Sequence, residues 1–293
     1  MYLDHFGLKE FPFGITPDTS FIYAGNAHQE ALNTLLIGLT SGEGFIKVTG
    51  EVGTGKTLLC RRFLTTMSDA YVVAYIPNPM LQPRDLLLAI AEELGLDLPV
   101  NDMQFHLIKE FNRYLLELAA KGKTAVVCLD EAQCIPIESL EALRLMSNLE
   151  TEKRKLMQVV MFGQPELDQK LSDPSVRQLK QRITFSHQMP PLRQQEVHQY
   201  LAHRLRIAGH IGGNVFSTRA ARSVYQYSGG TPRLVNIIAH KALLSAFGEG
   251  KTTVQASHVR LAGKDTEGAR SISWWQSWTD GWRDGWKRLE FSR

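Results

Sequence analysis

Short apolar runs alternate along this chain with longer stretches in which apolar positions recur every three or four residues. The short runs FIKVTG at 45–50, YVVAYIP at 71–77, TAVVCLD at 124–130, KLMQVVMFG at 155–163 and ITFSHQM at 183–189 read as strands. The helical spacing predicts helices over about 28–40, ending at Ser41-Gly42, then from about Gly55, near 83–95, 102–121 and 137–150, and once more between 174 and the last strand. Strands alternating with helices give an α/β fold, a largely parallel sheet flanked by helices. Beyond Pro190 the strand signals stop, and 193–209, 217–228 and 232–247 read as helices separated by glycine-containing turns. The organisation expected is therefore an α/β domain over 1–190, a small all-helical domain over 191–264, and a linker and tail over 265–293. The linker is expected from about Gly263 to Ser273. No internal repeat is visible.

Composition narrows the classes. With 293 residues and 43% hydrophobic content, the chain can bury a substantial core in two domains. Its 33 basic and 30 acidic residues are scattered, which neither implies nor excludes nucleic acid. Cys60, Cys128 and Cys134 sit in apolar or helical stretches without a pairing framework, which suits a reducing compartment, here read as the cytoplasm. The opening residues lack a basic region followed by an apolar run, and no segment offers the roughly 18 apolar residues of a membrane span, so membrane contact is expected to be peripheral. Cysteines and histidines are too dispersed for a structural metal, and no Gly-x-Ser-x-Gly nucleophile elbow is present.

The strongest chemical signal is Gly50-Glu51-Val52-Gly53-Thr54-Gly55-Lys56-Thr57, which fits GxxxxGK[ST] between an apolar strand and a helix that continues through Leu58. Glycines let backbone N–H groups curl around phosphates, and the new helix aims its positive end at them. Lys56 is placed to neutralise the β/γ oxygens and Thr57 to ligate Mg²⁺, so ATP with Mg²⁺ is the expected ligand pair. Further on, an apolar strand ends in Asp130-Glu131, the pattern of a Walker B element. Asp130 would hold the magnesium hydration shell and Glu131 would orient the attacking water. A helix start with acidic residues is the plainer alternative. A water-activating glutamate beside the magnesium aspartate favours hydrolysis over transfer to a second substrate.

At this point the chain resembles a family. The DEAQ after the third strand, Phe162-Gly163-Gln164-Pro165-Glu166-Leu167 after the fourth, Gly230-Thr231-Pro232-Arg233 in the helical part and the Phe11-Pro12-Phe13 opening look like the ExeA/GspA-type AAA+ ATPases of secretion and pilus systems. The resemblance covers about 1–262 and is nearest to the ATPases of MSHA-type pilus biogenesis. It implies an AAA+ P-loop NTPase core with a helical lid. Longer relatives continue into a transmembrane segment and a periplasmic peptidoglycan-binding domain, and this chain is expected to stop after the ATPase core. Carried over residue by residue, Gln164 takes the sensor-1 position and Arg233 the sensor-2 position, with a strand-end cap and a surface arginine as plainer alternatives. Arg182 falls where such proteins keep an arginine finger acting on the neighbouring subunit, with Arg177 and Arg193 as competitors. The site would then be complete only in a homo-oligomer, a ring with a hexamer favoured. Phe11, Phe13 and His28 are expected around the adenine, although aromatic core anchoring and simple helix capping explain them equally well.

All five tryptophans lie in the last twenty residues, and Trp274, Trp278, Trp282 and Trp286 recur every four residues. A helix would gather them on one face, opposite Gln276, Asp280, Arg283, Asp284, Lys287 and Arg288. Gly281 and Gly285 each cost an isolated helix about 1 kcal/mol, so order is expected on binding. An inner-membrane pilus or secretion protein, or the membrane interface itself, is the expected partner, with folding back onto the core as the alternative. The reading is an ATPase driving pilus or secretion assembly at the cytoplasmic face of the inner membrane. A DNA-associated ATPase resembling transposition regulators is the runner-up, and nucleic acid is not the expected partner.

Overall fold

The structure is a computed structural model that describes residues 2–23, 25–99, 102–150 and 155–271. The tryptophan-rich segment lies outside the described residues. The chain divides into two compact units, one made of Pro17–Pro190 and the other of Met1–Thr16 together with the residues from Pro191 onward.

In the first of these, five strands form one sheet: β1 Phe45–Gly50, β2 Tyr71–Ile76, β3 Thr124–Leu129, β4 Met157–Gly163 and β5 Ile183–Met189. They pair in the order β2-β3-β4-β1-β5, and every pairing is parallel. The side-chain period of two sorts each strand between two helical layers. Ala125, Val127, Leu129, Met157, Val159 and Met161 face one core, built with helices of the sequence that follows β2 and β3. Val126, Cys128, Val160, Phe162, Ile46 and Val48 face the other. The first layer holds α4 Pro83–Glu93, α5 Gln104–Ala120 and α6 Ile137–Met146, and the second holds α2 Asn26–Thr40 and α3 Lys56–Thr65. Both faces being covered explains why β4 reads as a nearly continuous apolar run and is buried throughout. Its one polar member, Gln158, is buried but satisfied, its amide donating to the carbonyls of Leu39 and Glu43 at 3.1 and 2.8 Å. Short helices α7 Glu166–Lys170 and α8 Arg177–Lys180 lead from β4 to β5. Parallel pairing puts the carboxyl ends of all five strands on one edge, where an open α/β sheet binds ligands.

The second unit is all helical: α1 Tyr2–Phe6, α9 Gln194–Ile207, α10 Thr218–Ser228, α11 Pro232–Gly248 and α12 Ala256–Lys264. The first sixteen residues thus group with these helices rather than with the α/β domain expected to contain them. Their attachment is specific. The Lys9 N–H donates to Ala208 at 2.7 Å, the Arg204 guanidinium donates to the Pro12 carbonyl, and the Asn236 amide donates to the Gly14 carbonyl at 3.0 Å. Between α10 and α11, Gly229 and Gly230 both take positive φ. A Cβ on Gly230 would sit 2.0 Å from the Leu192 carbonyl oxygen, so only glycine fits the turn that delivers α11. The stretch expected to be a linker begins inside α12 and stays docked through Arg270. Lys241 pairs with the Asp265 carboxylate at 2.9 Å, Thr266 is buried, and the Arg270 N–H donates to Tyr227 at 2.8 Å. Helix α12 itself was not anticipated from the pattern.

Candidate nucleotide site

The phosphate loop runs from the end of β1 into α3. Gly53 and Gly55 adopt φ of 79° and 98°, the left-handed region that lets successive N–H groups turn inward. A Cβ on Gly55 would lie 2.8 Å from Nε2 of His28, so that imidazole, on the first turns of α2, closes against the loop. Thr54 is buried and donates to the Glu51 carbonyl at 2.8 Å, while Glu51 and Val52 are exposed at the loop tip. Lys56 is only 6% exposed, and its ammonium donates to the carbonyls of Gly50 and Glu51 at 2.7 and 3.0 Å. Burial holds its pKa below the ordinary lysine value, and the carboxylates of Glu131, Asp130, Glu51 and Glu166 oppose that shift. Leu58 lies partly exposed on α3 behind the loop.

Asp130 and Glu131 follow β3. Asp130 is 3% exposed, and burial raises its pKa, opposed by hydrogen bonds from the Thr57 hydroxyl and the Glu131 N–H. The two expected magnesium residues are therefore already in contact. Glu131 has φ 50° and ψ 40°, the left-handed region that glycine normally occupies, and is the one non-glycine with positive φ among the described residues. Its carboxylate reaches the end of β4. There Gln133 donates to Oε2 of Glu131 at 2.6 Å and Gln164 donates to the same oxygen at 3.1 Å. The Oε1 of Gln133 accepts the backbone N–H of Gln164 at 3.0 Å. Lys170 on α7 donates to the carbonyls of Gln133 and Ile135, both at 2.6 Å, and fixes the turn that carries Gln133. Behind the site, burial pushes the thiols of Cys60 and Cys128 up, which leaves them inert, whereas Cys134 is exposed.

The Pro17–Pro190 unit thus brings together Gly50, Gly53, Thr54, Gly55, Lys56, Thr57, Asp130, Glu131, Gln164 and His28. The family model for the AAA domain matches residues 39–171, the span that carries this cluster apart from His28. General secretion pathway protein A of Aeromonas hydrophila is 43% identical over 280 residues, which is 94% of this chain and 50% of that protein. The chain carries an AAA domain and is related to general secretion pathway protein A. It spans half the length of that relative. Among solved structures, this chain is similar to Cdc6p of Pyrobaculum aerophilum, with a TM-score of 0.65, 18% identity and coverage of 87% of this chain and 72% of that one. The Aeropyrum pernix ORC2 protein, in ADPNP-ADP complexes, gives 0.62 at 18% identity, over 88% and 73%. The Thermotoga maritima RuvB Holliday junction branch migration motor gives 0.56 at 16%, over 87% and 73%. At these identities the likeness shows the fold alone, an AAA-type parallel sheet flanked by helices.

Of the other expected residues, Phe11, Phe13, Arg193 and Arg233 belong to the helical unit, and Arg177 and Arg182 to the α/β unit. Phe13 is buried edge-on against Phe216, ring centroids 5.9 Å apart, in the helical unit, and half-exposed Phe11 packs against Tyr2 at 5.7 Å. Both make ring contacts within that unit. Arg233 is exposed in the first turn of α11. Arg182 stands between α8 and β5, and its guanidinium donates to the Asn148 side chain and to the Arg144 carbonyl. Arg177 opens α8, and Arg193 caps α9. Gln133 is the site residue that sequence reasoning passed over. Its signal was its place in DEAQ, two residues beyond Glu131. Among the described residues, no helix is long and apolar enough to cross a membrane.

Proposed function

We propose that this chain hydrolyses ATP and couples the reaction to assembly of a secretion or type IV-like pilus apparatus. The observation that supports hydrolysis is Glu131, held in a strained backbone conformation with its carboxylate bridged to Gln164, beside a phosphate loop and a buried Asp130 that accepts from Thr57. The backbone N–H groups of 53–57 would cradle the phosphates, and Lys56 would exchange its two carbonyl contacts for phosphate oxygens. Thr57 and Asp130, already hydrogen bonded to each other, suit a magnesium ion, which would neutralise charge on the β and γ oxygens. Glu131 would orient water in line with the γ-phosphorus, and Gln164 would sense that phosphate. Arg233 from the helical unit and Arg182 from a neighbouring subunit are read as the two arginines that complete the site. The secretion reading is supported by the likeness to general secretion pathway protein A. A pilus apparatus of the MSHA type at the inner membrane, contacted peripherally or through the tryptophan-bearing tail, is the specific form of it.

The test is ATP binding and turnover of the wild type and Glu131→Gln, each with anionic liposomes and with DNA. Glu131→Gln should bind ATP normally while turnover falls by about 10²-fold or more. Normal hydrolysis would mean that another group positions the water. Stimulation by DNA alone would replace the assembly reading with the DNA-associated one.

A further inference from the structure

The geometry points to Gln133 as a positioning residue that locks Glu131 and Gln164 into one unit. This rests on the reading of Glu131 as the group that orients water. A backbone N–H can only donate, so the N–H of Gln164 at 3.0 Å fixes which end of the Gln133 amide faces it: the oxygen. The NH₂ end is then directed at Oε2 of Glu131, at 2.6 Å. Gln164 reaches that same oxygen through its own amide at 3.1 Å. The three residues close a ring of hydrogen bonds that joins the end of β3 to the end of β4. Both donors fall on Oε2, so Oε1 is the oxygen left to meet a water.

The platform under Gln133 is equally defined. Lys170 ties down the carbonyls on either side of Cys134. A Cβ on Gly163 would lie 3.4 Å from Oε1 of Gln133, ordinary contact distance, so the amide rests directly against the end of β4. Glu131 has its own reason to need an anchor. Its left-handed backbone is strained for a residue with a Cβ, and a side chain on such a turn has alternatives once its hydrogen bonds are gone. A shift at Gln164 on meeting phosphate would be transmitted to Glu131 through two bonds rather than one.

Gln133→Glu preserves size and keeps an acceptor for the Gln164 N–H, but it loses the donor to Glu131. Gln133→Ala loses both bonds. The experiment is steady-state ATP hydrolysis of the full chain for these variants, for Gln164→Ala and for the Gln133→Ala/Gln164→Ala pair, with Glu131→Gln and wild type alongside. Both Gln133 variants should lose about tenfold in kcat, with KM for ATP and thermal midpoint essentially unmoved. The pair should lose no more than the worse single variant, because the ring is already open. Wild-type kcat in Gln133→Glu, or full additivity in the pair, overturns the proposal while an inactive Glu131→Gln leaves the ATPase reading standing. An active Glu131→Gln removes both.

Discussion

Single residues carry the nucleotide site because their backbones do what side chains ordinarily prevent. Gly55 combines a φ of 98° with a Cβ position only 2.8 Å from His28. Gly42, at the end of α2, has φ 75° and open space around it. Gly55→Ala is therefore expected to weaken ATP binding about tenfold, from roughly 1–2 kcal/mol of backbone strain in the loop itself. Gly42→Ala should lower the unfolding midpoint and leave ATP affinity alone. A nucleotide titration and a urea melt of both variants separate the two effects. The loop was legible from sequence because its chemistry is local: glycines, a lysine and a threonine at fixed offsets between a strand and a helix. Gln133 was not, because its partners Glu131 and Gln164 meet only where β3 and β4 lie side by side. No spacing in the chain reports that register.

At the scale of elements, apolar periodicity located every strand and all the longer helices of the α/β unit, since burial on both sheet faces leaves an unmistakable run. It said less about what polar groups do between helices. In the helical unit, Arg204 is 5% exposed. It donates to the Pro12 carbonyl and to the Tyr200 hydroxyl, the latter at 3.2 Å. Tyr200 donates in turn to Asn236 at 2.9 Å, and Asn236 donates to the Gly14 carbonyl. This network straps the Phe11–Gly14 segment onto α9 and α11, which is why Phe13 belongs to a core. The sequence shows an aromatic lead-in but not which helices it binds. Replacing Arg204 with Met should cost about 2–3 kcal/mol, because a charged donor is lost and the buried Pro12 carbonyl stays unpaired. Tyr200→Phe should cost about 1 kcal/mol. Urea midpoints at unchanged slope check both, and an Arg204→Met protein as stable as wild type would show that the strap contributes nothing. Helix α12 escaped notice because it is short, and its capping residues Gln255 and His258 are not the usual signals.

For the whole molecule, the question is whether one copy suffices. Arg182 is held within its own unit by Asn148 and Arg144, so acting on a neighbour requires those contacts to be exchanged. Activity per subunit should rise with protein concentration in the wild type, and Arg182→Ala should lose on the order of 10³ in rate. Mixing Arg182→Ala with Glu131→Gln should restore part of the turnover, since each supplies what the other lacks across an interface. Two inactive proteins that stay inactive when mixed would assign Arg182 to its own fold. Residues 1–16 and the helices beyond Pro191 form one unit, with Pro17–Pro190 inserted between them. On the ribosome this imposes a delay. At ~5–20 residues per second, the inserted span takes on the order of 10–40 s to emerge. During that interval the α/β unit can close, but Tyr2, Phe6 and Phe13 have been made without the helices that will bury them. A nascent chain arrested before α9 should therefore expose a short aromatic handle, the kind of segment that a ribosome-associated chaperone captures.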